Sequence, residues 1–128
     1  MAKKYRVVIA DDESHVRVFL RFAANTMGLV VVGEAGNGDE AIEIYRKTKP
    51  DLILLDLNMP VKTGEVALKE IRVEFPDARV VMLSSSADRE SVEECAQLGA
   101  AYYIRKDCPF EEMKEILMSI LCPEGKVP

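Results

Sequence analysis

Apolar positions along the chain fall into two alternating kinds of segment. Five short runs rich in β-branched residues, at 6–10, 29–33, 52–55, 79–83 and 101–104, have the length and composition of strands. Within three of them, residues 7–10, 52–55 and 80–83 are nearly continuous apolar stretches, the pattern of strands covered on both faces. The intervening segments repeat at helical period. Val16, Phe19, Leu20, Ala23 and Met27 form one apolar stripe, stopped by Gly28. A second helix, 39–48, follows an Asn37-Gly38 turn, and a third, 64–75, is closed by Pro76. A fourth carries Val92, Cys95 and Ala96 and stops at Gly99. The last carries Phe110, Met113, Ile116, Leu117, Ile120 and Leu121 behind Pro109, a residue suited to a first helical turn.

Unbroken strand–helix–strand alternation predicts parallel pairing with helices as right-handed crossovers. The expected architecture is an α/β domain of three layers: a doubly wound, five-stranded parallel sheet with five helices on its two faces. A chain of 128 residues has room for one such domain. We expect it to occupy residues 1–121, with 122–128, which hold two prolines and a glycine, as a loose tail.

Composition narrows the functional classes. No apolar run approaches the roughly 20 residues needed to cross a bilayer, and no signal peptide opens the chain. A net charge of −5, from 22 acids against 17 bases, speaks against direct nucleic-acid binding, which requires a clustered basic face. Cys95, Cys108 and Cys122 are odd in number and match no zinc spacing, so free thiols in a reducing compartment, the cytoplasm, are expected. His15 is the single histidine, which excludes a multi-histidine metal centre; it reads as a solvated residue at a helix start.

In a parallel sheet the C-terminal strand ends share one edge, where ligands bind. Asp11, Asp12 and Glu13 follow the first strand; Asp56 and then Asn58 follow the third. Ser84, Ser85 and Ser86 follow the fourth, and Lys106 follows the fifth. Topology alone would gather carboxylates, hydroxyls and one ammonium there. Two carboxylates about 5 Å apart repel by roughly 3 kcal/mol at an effective dielectric near 20. Three would need a counter-ion beyond Lys106. With no sulfur or imidazole at hand, a hard divalent ion fits, and Mg²⁺ is the natural choice. A carboxylate, a metal, a hydroxyl and a lysine together suit phosphoryl chemistry, with Asp56 as the candidate nucleophile. Taken singly, each residue has a plainer reading. Asp11-Asp12 is as well explained as a helix-start charge pair, Lys106 as a solvated strand end, and Ser84 as a turn residue.

These residues, in this order, carry a family resemblance. Asp11-Asp12, Asp56 after Leu52-Ile53-Leu54-Leu55, Asn58-Met59-Pro60 with Gly64, Ser84, and Lys106 after Tyr103-Ile104-Arg105 closely resemble the response-regulator receiver domain. This is the CheY-like, flavodoxin-like fold of bacterial two-component signalling, and the resemblance runs from about residue 5 to 121. It implies the strand order 2-1-3-4-5. It implies that Asp56 accepts a phosphoryl group from a phosphohistidine on a sensor histidine kinase or a histidine phosphotransfer protein. Mg²⁺ would be held by the side chains of Asp12 and Asp56 and the Asn58 carbonyl, with Asp11 partly through water. Lys106 would pair with Asp56 and later with a phosphoryl oxygen, and Ser84 would turn to bond another. Tyr103 would be the aromatic switch, and Asn58 and Ser86 would tune hydrolysis. The output surface would be the fourth helix, fifth strand and fifth helix, roughly 88–121, which would bind a downstream protein target, as a monomer or a phosphorylation-dependent dimer. Such a protein is a regulatory switch whose only chemistry is its own phosphorylation and dephosphorylation.

One departure from the pattern concerns Lys106. Many receivers place proline directly after this lysine; here Asp107 and Cys108 come before Pro109, so a trans Lys106-Asp107 bond is expected. This variant, with Ser84-Ser85-Ser86, is similar to receivers fused to helix-turn-helix output domains. The chain either acts alone through partners or is severed from such a domain; 128 residues with a complete last helix is a normal stand-alone length. Two rival classes are an aspartate-nucleophile phosphohydrolase and a flavin carrier. The first usually has a second Asp two residues after the nucleophile, where this chain has Asn58. The second needs a neutral phosphate loop where this chain has Asp11-Asp12-Glu13.

Overall fold

The computed structural model describes residues 4–85 and 88–122. Ten elements alternate along the chain: β1 (Arg6–Ala10), α1 (Ser14–Thr26), β2 (Val30–Ala35), α2 (Gly38–Thr48), β3 (Leu52–Asp56), α3 (Gly64–Glu74), β4 (Val80–Ser84), α4 (Arg89–Gln97), β5 (Tyr102–Arg105) and α5 (Phe110–Leu121). The strands form one parallel sheet in the order β2-β1-β3-β4-β5. No described helix is long and apolar enough to cross a membrane.

Strand alternation sends successive side chains to opposite faces and so makes two cores. Val8, Ala10, Ile53, Leu55, Val80 and Met82 pack with Ala41, Ile42 and Tyr45 of α2, Ala67, Leu68 and Ile71 of α3, and Cys95 of α4. On the other face, Val7, Ile9, Leu52, Leu54, Val81, Leu83 and Ile104 pack with Leu20 and Ala24 of α1 and Met113, Leu117 and Leu121 of α5. β3 lies at the centre of the sheet and every one of its residues is buried, Asp56 included.

Helix ends follow their local chemistry. Asn37, Thr63 and Asp88 cap α2, α3 and α4 with side-chain oxygens that accept from backbone amides. Gly28 and Gly99 end α1 and α4 with φ of 81° and 97°, conformations in which a side chain would be strained. Where the spacing predicts the second strand at 29–33, the strand runs Val30–Ala35. A bulge shifts its register, so that Val7 pairs with Val31 but Val8 with Gly33. Gly33 allows the close approach of α2: a Cβ there would lie 2.5 Å from Ile44 Cγ2. His15 is solvated, with its side chain 78% exposed, and Cys95 is wholly buried. No peptide bond among the described residues is cis, Lys106-Asp107 included. Beyond Cys122, the expected tail lies outside the described residues.

Candidate functional site

Hydrogen bonds at the strand ends fix where each polar side chain begins. The Asp11 amide donates to Ala35 O (3.0 Å), which extends the β1–β2 pairing by one residue. The Glu13 amide donates to Asp11 Oδ1 (2.9 Å), and Arg17 Nη1 donates to the Asp11 carbonyl (2.6 Å). The β1–α1 turn is therefore held from both its backbone and its side-chain side. At the end of β3 the Leu57 amide donates to Leu83 O, and the Gly64 amide donates back to Leu57 O, both at 2.9 Å. The Lys106 amide donates to Ser84 O (2.7 Å), so the ammonium starts one residue past β5.

The expected convergence occurs. Carboxylate oxygens of Asp11, Asp12 and Asp56 lie within 4.8 Å of one another. Asp11 and Asp56 are buried and Asp12 is exposed, which gives the cluster one open side. Lys106 Nζ stands 2.9 Å from Asp11 Oδ2 and 3.3 Å from Asp56 Oδ1, with Glu13 Oε1 at 3.6 Å on the rim. Sequence reasoning pairs Lys106 with Asp56; the structure adds the shorter contact to Asp11. The Asn58 amide donates to Asp56 Oδ1 (3.3 Å), and the Asn58 side chain faces solvent. Ser84 is buried, and its side chain lies near enough to Tyr103 to lower the phenol's pKa against the larger upward push of burial. Tyr103 is half-buried against the core beneath α2, α3 and α4, whereas Tyr102 on the opposite face is exposed. Ser86 lies outside the described residues.

Electrostatics follow from this packing. Burial, with the Asp11 carboxylate adding to it, pushes the Asp56 carboxyl up to about 6, and Lys106 only partly opposes them. Burial pulls the Lys106 ammonium down, but the two carboxylates beside it outweigh that, and its pKa ends above the ordinary lysine value. Three acids against one close ammonium leave the notch anionic. The donor set is all oxygen, and Asp11 Oδ2 takes no well-formed hydrogen bond beyond its ionic contact with Lys106. Spare carboxylate lone pairs that converge within a few ångströms suit a small hard cation.

Two features of the β3–α3 loop were not visible from residue types alone. Gly64 lies so close to β3 that a Cβ on it would sit 2.1 Å from the Asp56 carbonyl oxygen. Val61, 80% exposed, holds φ at 68°, a left-handed conformation that costs a β-branched residue about 1–2 kcal/mol. Val61→Asn, which tolerates that conformation, is expected to raise the unfolding free energy by about 1 kcal/mol in urea titrations. No gain would show that the loop does not hold this residue left-handed.

The family model of the response regulator receiver domain matches residues 7–118. The chain belongs to that family. It is 38% identical over 109 residues to protein CcdB of Bacillus subtilis, covering 85% of this chain and 89% of that one. It is 36% identical over 111 residues to the chemotaxis protein CheY of Thermotoga maritima, covering 87% and 91%. A 44% match over 109 residues to the transcriptional regulatory protein YhcZ of Bacillus subtilis covers 84% of this chain but 51% of YhcZ, so this receiver spans about half of that regulator. Among solved structures, a LuxR-family two-component response regulator from Aurantimonas superposes with a TM-score of 0.90 at 28% identity, over 94% of this chain and 87% of that one. CheY in the CheX–CheY–BeF3–Mg complex of Borrelia burgdorferi superposes with 0.88 at 27%, over 91% and 88%. The receiver is a module of two-component systems, and its regulatory character argues against the hydrolase and flavin-carrier alternatives.

Proposed function

We propose that this receiver is a phosphorylation switch in which Asp56 is the acceptor. The observation that carries the reading is the buried Asp56 carboxylate within 4.8 Å of Asp11 and Asp12, with the Lys106 ammonium at 3.3 Å. Asp12 and Asp56 side chains and the Asn58 carbonyl would hold Mg²⁺, with Asp11 partly through water. Bound there, the ion would neutralise charge on the non-bridging phosphoryl oxygens. An Asp56 Oδ attacks phosphorus from the open side, the O–P bond forms as the donor's N–P bond breaks, and the freed imidazole takes up a proton. The donor is then a phosphohistidine of a sensor kinase or phosphotransfer protein. Lys106 moves its ion pair from the carboxylate to a phosphoryl oxygen.

Ser84 would take the next step, since its buried side chain lies near Tyr103. Turning the Ser84 hydroxyl to a phosphoryl oxygen changes the space and polarity beside Tyr103 and so biases the face of α4, β5 and α5 that meets a downstream protein. Taking a two-state equilibrium from 1:99 to 99:1 needs about 5.5 kcal/mol. Two or three charge-assisted hydrogen bonds, each about 1.5–3 kcal/mol, supply that. By the family pattern, Asn58 and Ser86 would tune hydrolysis of the acyl phosphate. Three free cysteines are consistent with a cytoplasmic setting.

The test is direct. With Mg²⁺ and acetyl phosphate, intact mass should show one phosphoryl adduct, labile to base and absent in Asp56→Ala. Labelling of Asp56→Ala equal to the wild type would exclude Asp56 as acceptor.

A further inference from the structure

The loop that joins Asp56 to α3 carries Asn58, yet few contacts hold its far end. Met59 is buried, and the Gly64 amide closes the loop onto Leu57 O. Between them, Pro60 and Val61 are exposed, with Val61 left-handed. Lys62 is what fastens this stretch. Its carbonyl accepts from the Gly38 amide (3.2 Å) at the start of α2, an approach so close that a Cβ on Gly38 would lie 2.4 Å from that oxygen. Its ammonium spans the groove between α2 and α3, 2.9 Å from Asp39 Oδ1 and 2.6 Å from Glu70 Oε2. The other cations of that groove face acids of their own, Arg46 with Glu74 and Lys47 with Glu43. Each of these three cations is thus paired within the groove, which keeps one acid in excess.

We infer that Lys62 is a positioning residue for the metal notch. Clamped by Asp39 and Glu70, it holds the 58–63 stretch, in which Val61 is left-handed, and so fixes where the Asn58 carbonyl lies beside Asp56. The inference rests on the metal reading above. Partly exposed ion pairs contribute little to global stability, whereas partners that orient metal ligands typically govern 10–100-fold in affinity. Affinity and stability should therefore separate. The sign also separates positioning from simple charge: loss of a cation near an anionic notch would tighten Mg²⁺ binding, whereas loss of the clamp weakens it.

The experiment is calorimetric titration of MgCl₂ into the metal-free chain as wild type, Lys62→Met, Lys62→Arg and the pair Asp39→Asn with Glu70→Gln, beside thermal unfolding and amide exchange. Lys62→Met and the double variant should each raise the Mg²⁺ Kd about tenfold. Exchange at 58–63 should quicken while the strands stay protected, and Lys62→Arg, which can still bridge both acids, should restore most of the affinity. The double variant keeps the lysine but removes two anions, which by charge alone would also weaken Mg²⁺ binding. Its deciding readout, where Lys62→Met folds poorly, is therefore amide exchange at 58–63, which quickens only if the clamp holds that stretch. Unchanged exchange there overturns the role of Lys62. Wild-type binding with unchanged or tighter binding in Lys62→Met overturns the role of Lys62 alone. No Mg²⁺ binding by the wild type overturns the metal reading, and this inference with it.

Discussion

Asp56→Asn is expected to be more stable than the wild type at neutral pH, by about 2 kcal/mol in the absence of divalent cations. The sign follows from the direction of the shift. A carboxyl raised from 3.8 to about 6 holds its proton more tightly in the folded state than in the unfolded one. Well below pH 4 both states are protonated and the residue adds no penalty. As pH rises from about 4 to 6 the unfolded chain releases the proton first, and stability falls. Above about 6 the penalty is complete and constant, on the order of 3 kcal/mol from the pKa difference. The neutral amide removes the buried charge and its repulsion with Asp11, while Lys106 keeps Asp11 at 2.9 Å. Urea unfolding of both proteins between pH 4 and 8 checks this: the gap between the curves should open from about pH 4 and level off above 6. Other carboxylates shape both curves alike, so the difference is the readout. Parallel curves would mean that Asp56 ionises without strain. A raised pKa also means that cation binding at neutral pH relieves a cost already present in the free protein.

The second large effect belongs to Gly64. Alanine there would bring its Cβ to 2.1 Å from the Asp56 carbonyl oxygen, 2.7 Å from Leu57 Cα and 2.9 Å from the Asp56 carbonyl carbon. All three are backbone atoms of the central strand or the residue after it, and β3 is clamped by β1 and β4 on either side. Relief must come from α3 and the loop, which shift away from the sheet. Overpacking of this kind costs about 1–3 kcal/mol and occasionally more; with backbone on the receiving side, about 3 kcal/mol or more is expected for Gly64→Ala. Gly36→Ala is the control, because its nearest neighbour would be Glu40 Oε1 at an ordinary 3.5 Å. Its change should stay within about 0.5 kcal/mol. Denaturant titrations of the two variants give the comparison, and a Gly64→Ala loss below about 1 kcal/mol would show that the loop yields easily.

These expectations mark how far residue order alone reaches. Strand and helix positions were legible because two-sided burial writes continuous apolar runs and one-sided burial writes a stripe of period 3.6. The second strand runs past its apolar stretch because, beyond a bulge, Glu34 and Ala35 pair with Ile9 and Ala10 of β1, a partner that a local pattern does not contain. Asp11, Asp56 and Lys106 could be gathered in advance because parallel topology brings strand ends to one edge.

By itself, the sequence determined the α/β alternation, the sheet edge that holds the chemistry and the chemical character of that edge: acids with a single lysine and no soft ligand. Tertiary structure alone decided the rest. It placed Lys106 nearer Asp11 than Asp56 and set Lys62 across the α2–α3 groove. The physical reason is that residue types and topology bring groups to the same end of a sheet. Contacts of 3 Å, and the burial that raises a carboxyl to about 6, depend on how distant layers pack against one another.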